Sequence, residues 1–329
     1  SEVVASVEES GGEAFVSAGV RRTIIGVVGD ADVLAALEAK DLTQLNAVSE
    51  VIRITSAYKL VSRENHTTRS TVMVGNVAIG PESITLIAGP CAVETPEQTL
   101  AAAHQAVQAG ATLLRGGAFK PRTSPYAFQG LGIPGLQILA EVGREVGLPT
   151  VTEIVDARDV DVVAEHADML QIGTRNMQNF ALLQAAGGAG KPVLLKRGLT
   201  ATYEEWLMAA EYIAQRGNLD IVLCERGIRT FEPSVRNTLD VSAVPVIQDL
   251  SHLPIIVDPS HAAGRRDLIL PLARAGLAAG ADGLIIDVHP HPESALCDGA
   301  QALFGQSLTD LAHVMATFPA MLGRNQTVQ

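Results

Sequence analysis

Cysteine, aromatic residues and positive charge are all scarce in this chain of 329 residues. Its cysteines, Cys91, Cys224 and Cys297, are too few and too far apart for a disulfide framework, which favours a reducing compartment. The net charge of -12 excludes a broad basic face for nucleic acid. No run of about 18 uninterrupted apolar residues predicts a membrane-spanning helix. We therefore expect a cytoplasmic protein with neither nucleic acid nor membrane as a partner.

The chain is rich in aliphatic residues, and its length favours two domains. Hydrophobic residues make up 47% of it but aromatic residues only 4%, so Ala, Val, Ile and Leu must fill the core. Residues 1–66 predict a small α+β domain with the order helix, strand, strand, helix, strand. This order is that of a ferredoxin-like domain without its first strand. Residues 67–82 predict a linker and a hairpin that closes the floor of the next domain.

Residues 83–329 predict a (β/α)₈ barrel, because short apolar strands alternate there with helical stretches. An open doubly wound sheet would usually stop at about five to seven strands. The eight predicted strands are ITLIAGPC, ATLLRGG, PTVTEIV, DMLQIGTR, PVLLKRG, DIVLCERG, LPIIVDPSH and GLIIDVHP.

Each predicted strand begins apolar and ends near a reactive or charged residue. These residues are Cys91, Arg115, Glu153, Arg175, Lys196, Arg226, His261 and Asp287. Charges could simply mark the points where strands meet solvent, but eight of eight strands is hard to explain in that way. The carboxyl ends of barrel strands share one face, where such enzymes place their active sites, so a site is predicted there.

Two groups of side chains give this site its predicted chemistry. The basic group is Arg115, Lys120, Arg122, Arg175, Lys196 and Arg226. These cations would repel one another unless anions lay between them, so two phosphorylated or carboxylated substrates are expected. Pairing with acids such as Glu153 and Glu225 would account for one or two of them. A Schiff-base role for Lys196 is a further alternative.

The second group could hold a metal ion, and it consists of Cys91, His261, Asp287 and Asp298. One thiolate, one imidazole and two carboxylates suit Mn²⁺, Fe²⁺, Co²⁺ or Zn²⁺ better than Ca²⁺. The alternative is a buried thiol, a core histidine and two surface acids. His289 and His291 could form another metal pair, although the prolines around them favour a rigid loop.

Several motifs together resemble the 3-deoxy-D-arabino-heptulosonate 7-phosphate (DAHP) synthases of type I beta, from about Arg22 to the end of the chain. These motifs are GPCAVE, LLRGGAFKPRTSPYAFQGLG, QIGTRNMQN, LLKRG, CERGIRTFE, VDPSHAAGRRD and VHPHPESALCDG. The resemblance implies condensation of phosphoenolpyruvate with erythrose 4-phosphate. The segment KPRTSP distinguishes this family from the related 3-deoxy-D-manno-octulosonate 8-phosphate synthases.

The resemblance also implies individual roles. Arg115 and Lys120 would bind the carboxylate of phosphoenolpyruvate, and its phosphate would be bound by Arg175, Lys196 and Arg226. Arg122 and Thr123 would bind erythrose 4-phosphate. The metal would be bound by Cys91, His261 and Asp298. Asp287 departs from the family pattern, which has the longer glutamate as a metal ligand. Catalytic roles are predicted for Lys120, Glu153, Cys91 and His261.

The resemblance further implies one divalent metal ion, with Mn²⁺ the first expectation, and a homotetramer. The N-terminal domain would bind an aromatic amino acid, Tyr or Phe, as a feedback inhibitor. Three other functions compete: an octulosonate synthase, a Schiff-base aldolase and a protein that only binds an effector. Cys297 beside Asp298 could also form a disulfide with Cys91 on oxidation.

Overall fold

The computed structural model describes residues 2–18, 23–46, 48–51 and 57–326. Its first part contains α1 (Glu2–Glu9), β1 (Glu13–Ala18), β2 (Thr23–Val28) and α2 (Ala31–Ala39). The two strands form an antiparallel hairpin. Helix α2 begins where the Asp30 carboxylate accepts hydrogen bonds from two backbone N–H groups of its first turn. The final strand predicted for this domain, over 49–55, lies largely outside the described residues.

A short antiparallel hairpin, β3 (Val72–Val74) and β4 (Val77–Ile79), precedes the barrel. Its turn uses Gly75 at a φ of 59°, a left-handed conformation that favours glycine. Four of its side chains are buried among inward-facing barrel residues: Val72, Val74, Val77 and Ile79. The hairpin therefore packs beneath the barrel interior.

A closed parallel barrel of eight strands follows, in chain order. The strands are β5 (Ser83–Gly89), β6 (Leu113–Arg115), β7 (Thr150–Ile154), β8 (Met169–Ile172), β9 (Val193–Lys196), β10 (Ile221–Glu225), β11 (Ile255–Val257) and β12 (Gly283–Asp287). Pairing of β12 with β5, from Gly283 opposite Thr85 to Asp287 opposite Gly89, closes the ring. A short strand, β13 (Asn325–Gln326), joins the start of β5 from outside.

The helices surround the barrel. They are α3 (Pro96–Gln108), α4 (Ile133–Val146), α5 (Val160–His166), α6 (Phe180–Gly188), α7 (Tyr203–Ala214), α8 (Ala243–Leu250), α9 (Pro259–Ala263), α10 (Arg266–Ala278) and α11 (Gln306–Met321). The predicted (β/α)₈ barrel with a small N-terminal α+β domain is thus confirmed. Among the described residues, no helix is both long and apolar enough to cross a membrane.

The segment that enters the barrel is held by buried polar groups. Glu211 of α7 accepts hydrogen bonds from the backbone N–H of Leu60 at 2.9 Å and of Val61 at 3.2 Å. His252 Nε2 lies 2.9 Å from the carbonyl oxygen of Leu60, and its Nδ1 lies 2.7 Å from Ser70 Oγ. These contacts fix residues 58–70 on the outside of the barrel.

The acid stability of this segment should depend on His252. Burial lowers the pKa of His252 to about 4, from an ordinary value of 6.5. Below pH 6.5 the unfolded chain therefore binds a proton that the folded chain excludes, and folding stability falls until about pH 4. At about pH 5 the loss is about 2 kcal/mol.

Urea unfolding at about pH 7.5 and about pH 5 measures this loss. His252→Gln keeps an N–H donor for Leu60 but does not titrate, so its free energy of unfolding should fall less between the two pH values than that of the wild type. The same decrease in both proteins would contradict the role of His252.

Candidate active site and metal centre

The predicted site residues meet at the carboxyl ends of the barrel strands. Arg115, Lys196 and Asp287 end β6, β9 and β12, and Glu153 is the penultimate residue of β7. The segments after the strands carry the others: Cys91, Lys120, Arg122, Thr123, Arg175, Arg226, His261 and Asp298. A cavity opens here, and it is lined by Arg115, Lys120, Arg122, Arg175, Lys196, Arg226, Glu153, His261 and Asp298, among others.

Some of these cations are paired with acids, but not with the acids expected from the sequence. Arg115 forms a buried ion pair with Asp287, and Lys196 forms one with Asp258. Glu225 instead binds Arg197, which lies outside the cavity lining. The contact with Asp258 occupies the amine of Lys196, which disfavours its use as a Schiff-base nucleophile.

Other cations retain free hydrogen-bond donors. Arg226 is 6% exposed, and its Nη1 has no hydrogen-bond partner among the described residues. Burial lowers the pKa of Arg226. Arg122 Nη1 is likewise buried without a partner in the described chain. Because buried donors are normally satisfied, these groups suit a bound phosphate or carboxylate.

Four side chains in or next to the cavity lining fit a divalent metal. One ligand atom from each of Cys91, His261, Asp287 and Asp298 lies within 4.8 Å of the others. His261 Nε2 lies 3.8 Å from Cys91 Sγ, 3.6 Å from Asp287 Oδ2 and 3.7 Å from Asp298 Oδ2. Metal–ligand bonds of about 2.0–2.3 Å in a tetrahedron place ligand atoms about 3.3–3.8 Å apart. The spacing and the mixed donor set therefore match a first-row metal ion.

Asp258 orients His261, and sequence reasoning missed it. His261 lies in the short helix α9 rather than at the end of its strand, and Asp258 is the N-cap of that helix. Asp258 Oδ1 accepts from the His261 backbone N–H at 2.8 Å, and Oδ2 lies 2.8 Å from the ring Nδ1. The ring therefore presents Nε2 to the cluster. The Asp-Pro pair before Ser-His is a helix-start signal that could have revealed this role.

The local charges shift the pKa values of these groups. Burial would lower the pKa of His261, but Asp258 and Asp287 outweigh it and raise that pKa to about 9. Burial would raise the pKa of Asp258, but His261 and Lys196 hold it well below the ordinary value. A hydrogen bond with Cys297 and burial raise the pKa of Cys91. Metal binding must therefore displace protons from the site.

The structure also bears on the histidine pair and the disulfide that the sequence suggested. His289 Nε2 lies 3.4 Å from Glu94, whereas His291 is exposed beside Glu293, so the two do not converge. The sulfur atoms of Cys91 and Cys297 lie 3.7 Å apart as free thiols. Sequence reasoning also missed Arg236, which lines the cavity, and Gln301, because nothing in their local sequence distinguishes them.

Comparisons with known proteins agree over both parts of the chain. A family model described as the DAHP synthetase I family matches residues 59–322, and one described as the DAHP synthase ferredoxin-like domain matches residues 1–56. The phospho-2-dehydro-3-deoxyheptonate aldolase of Thermotoga maritima is 50% identical over 321 residues, which cover 98% of this chain and 94% of that protein.

Solved structures and a more distant relative extend the comparison. The crystal structure of the Thermotoga maritima DAHP synthase has a TM-score of 0.81 at 50% identity and covers 99% of this chain and 94% of that one. A truncated form of the 3-deoxy-D-arabino-heptulosonate 7-phosphate synthase from the same organism has a TM-score of 0.77 at 50% identity, covering 82% and 99% respectively. The 2-dehydro-3-deoxyphosphooctonate aldolase of Syntrophotalea carbinolica is 35% identical over 277 residues, 78% of this chain and 99% of that protein.

The free donors of Arg226 generate a direct prediction about anion binding. Arg226→Gln should weaken binding of inorganic phosphate by about tenfold or more, because charge-assisted hydrogen bonds contribute about 1.5–3 kcal/mol each. Calorimetric titration measures the affinity. Arg158→Gln, which removes an exposed charge paired with Asp156, is the control. Unchanged phosphate affinity in Arg226→Gln would contradict this prediction.

Proposed function

This chain belongs to the DAHP synthetase I family, and we propose that it condenses phosphoenolpyruvate with D-erythrose 4-phosphate and water. The products are 3-deoxy-D-arabino-heptulosonate 7-phosphate and inorganic phosphate, and the reaction is the first step of the shikimate pathway. The observation that carries the proposal is a single cavity lined by many cations beside four side chains spaced as metal ligands.

Phosphoenolpyruvate is held by cations that line the cavity. Arg175, Lys196 and Arg226 bind its phosphate, and the unpaired Nη1 of Arg226 supports this assignment. Arg115 and Lys120 bind its carboxylate. The ion pair with Asp287 occupies one nitrogen of Arg115, while its Nε has no hydrogen-bond partner in the described part of the chain.

Erythrose 4-phosphate binds next to it, with its phosphate at Arg122 and Thr123. Arg175 donates a hydrogen bond to Thr123 Oγ1 at 3.3 Å, which supports adjacent sites for the two substrates. Cys91, His261, Asp287 and Asp298 would hold one divalent ion, Mn²⁺ in the first instance, with Fe²⁺, Co²⁺ or Zn²⁺ as alternatives. When bound, such an ion supplies Lewis-acid polarisation of the aldehyde.

The bond changes follow from this arrangement. C3 of phosphoenolpyruvate forms a bond to the aldehyde carbon, whose carbonyl π bond breaks as its oxygen takes up a proton. Water adds at C2 and releases a proton that balances this one, and the C2–O bond to phosphate then breaks as C2 becomes a ketone and phosphate leaves. Glu153 lines the cavity and accepts a proton from the attacking water. Its Oε1 would lie 1.8 Å from a Cβ on Gly173, so a larger residue there would push this carboxylate out of its present position. Lys120 stabilises the developing charge.

The second candidate function is that of an octulosonate synthase, which uses arabinose 5-phosphate in place of erythrose 4-phosphate. It is considered because this chain is similar to those enzymes. Several relatives named 2-dehydro-3-deoxyphosphooctonate aldolase are 32–35% identical to this chain. The segment KPRTSP and the higher identity to the Thermotoga maritima protein favour the shorter aldose.

The rate at which phosphoenolpyruvate is consumed in the presence of each aldose tests the substrate and metal proposals together. Turnover with erythrose 4-phosphate should exceed that with arabinose 5-phosphate by about 100-fold, a discrimination of about 3 kcal/mol. EDTA should abolish turnover and Mn²⁺ should restore it. Full activity in chelator would contradict the metal role, and preference for arabinose 5-phosphate would favour the octulosonate synthase.

We further propose that the N-terminal domain binds Tyr or Phe and inhibits a cytoplasmic homotetramer. A chain that begins at residue 57 should keep its condensation activity but lose inhibition by these amino acids. The truncated chain keeps residues 58–66, because Leu60 in this segment contacts Glu211 and His252 of the barrel. Equal inhibition of the truncated and complete chains would contradict a regulatory role.

A further inference from the structure

Two residues outside the metal cluster connect both of its carboxylates. Gln301 is 2% exposed, and its Nε2 donates a hydrogen bond to Asp287 Oδ2 at 2.6 Å. Arg236 Nη1 donates to Gln301 Oε1 at 3.2 Å and to Asp298 Oδ1 at 3.1 Å. A continuous chain of hydrogen bonds therefore runs from Asp298 through Arg236 and Gln301 to Asp287.

The chemistry of the partners fixes the orientation of the Gln301 amide. A guanidinium group has only donors, and an ionised carboxylate has only acceptors. Gln301 must therefore present its oxygen to Arg236 and its NH₂ group to Asp287. A flipped amide would oppose like groups at both ends.

These contacts restrict Asp287 at both of its oxygens. Oδ1 is bound by Arg115, and Oδ2 by Gln301, while Oδ2 also lies 3.6 Å from His261 Nε2. Asp287 is one methylene shorter than the glutamate that the family resemblance implies at this position. A shorter side chain reaches fewer positions, so its carboxylate depends more on neighbouring donors for its orientation.

We propose that Gln301 and Arg236 are positioning residues, which together fix Asp287 and Asp298 for metal binding. The proposal rests on the metal site of the proposed function. A cation beside the site repels a divalent metal ion, so the charge of Arg236 by itself does not favour metal binding, although this residue also lines the cavity proposed for the anionic substrates. Nη1 of Arg236 donates to both Asp298 and Gln301, so this arginine holds the two side chains in a fixed relative position.

Gln301→Met tests the first link, because it keeps the volume of the side chain but removes both hydrogen bonds. The dissociation constant for Co²⁺, measured by competition with a chelator, should rise about tenfold or more, as for other partners of metal ligands. The thiolate-to-cobalt absorption band and the spin-state spectrum should also change. Gln248→Met is the matched control, since Gln248 donates to the carbonyl of Gly280 and touches none of the four ligands.

Arg236→Lys tests the second link while the positive charge is kept. A lysine has no guanidinium fork, so it should not hold Gln301 and Asp298 together, and Co²⁺ should bind about three- to tenfold more weakly. Arg265→Lys is the control, because Arg265 contacts the same loop at Ser234 and pairs with Asp267. When Arg236→Lys is combined with Gln301→Met, it should raise the dissociation constant for Co²⁺ by a smaller factor than it does alone. The reason is that Gln301 no longer connects Arg236 to Asp287.

The outcomes separate this inference from the proposed function. If the wild type binds no Co²⁺, the proposed metal site fails. If the wild type binds Co²⁺ and both variants match it within about twofold, Gln301 and Arg236 do not position the ligands. Should Gln301→Met not fold, Arg236→Lys decides alone, because the Arg236 side chain is 42% exposed and its replacement leaves the core intact.

Discussion

The buried carboxylate of Asp258 is the contact on which the arrangement of the site depends. It caps helix α9, lies beside the ring Nδ1 of His261 and pairs with Lys196, so one side chain sets the direction of a proposed metal ligand and of a cation proposed to bind phosphate. Buried ion pairs add little net stability, but removal of one partner leaves an uncompensated charge that costs about 3–5 kcal/mol. Their value here is positional, because the pairing gives each group a single orientation.

A second acid, Asp287, does the same for the other half of the site. It binds Arg115 on one side and Gln301 on the other, and it faces His261 across the cluster. Cations that would otherwise repel one another therefore lie against fixed anions, while Nη1 of Arg226 and of Arg122 is buried without a hydrogen-bond partner in the described chain, as the proposed anion binding requires. The paired cations Arg115 and Lys196 are also proposed to bind phosphoenolpyruvate, so the ion pairs fix the direction of groups that would meet the substrate.

The barrel supplies the rigid frame for these pairs. Closure of β12 on β5 brings Asp287 beside Gly89, just before the loop that carries Cys91. At the opposite end, Asp282, the residue before β12, is fully buried and binds both Arg69 and Arg324, so the entering segment and the last part of the chain meet at the start of that strand. The ligands of the cluster come from distant parts of the chain, so their spacing depends on this frame.

The sequence by itself determined the eight strands, the hairpin beneath them and the residue types at the barrel mouth, because strand periodicity and the polar residues that follow each strand are local signals. Motifs such as KPRTSP also narrowed the function to one family. Only the tertiary structure decided which cation pairs with which acid, that His261 lies on a helix, and that Arg236 and Gln301 join the carboxylates. Those facts depend on side-chain directions between segments far apart in sequence, and no local pattern encodes such directions.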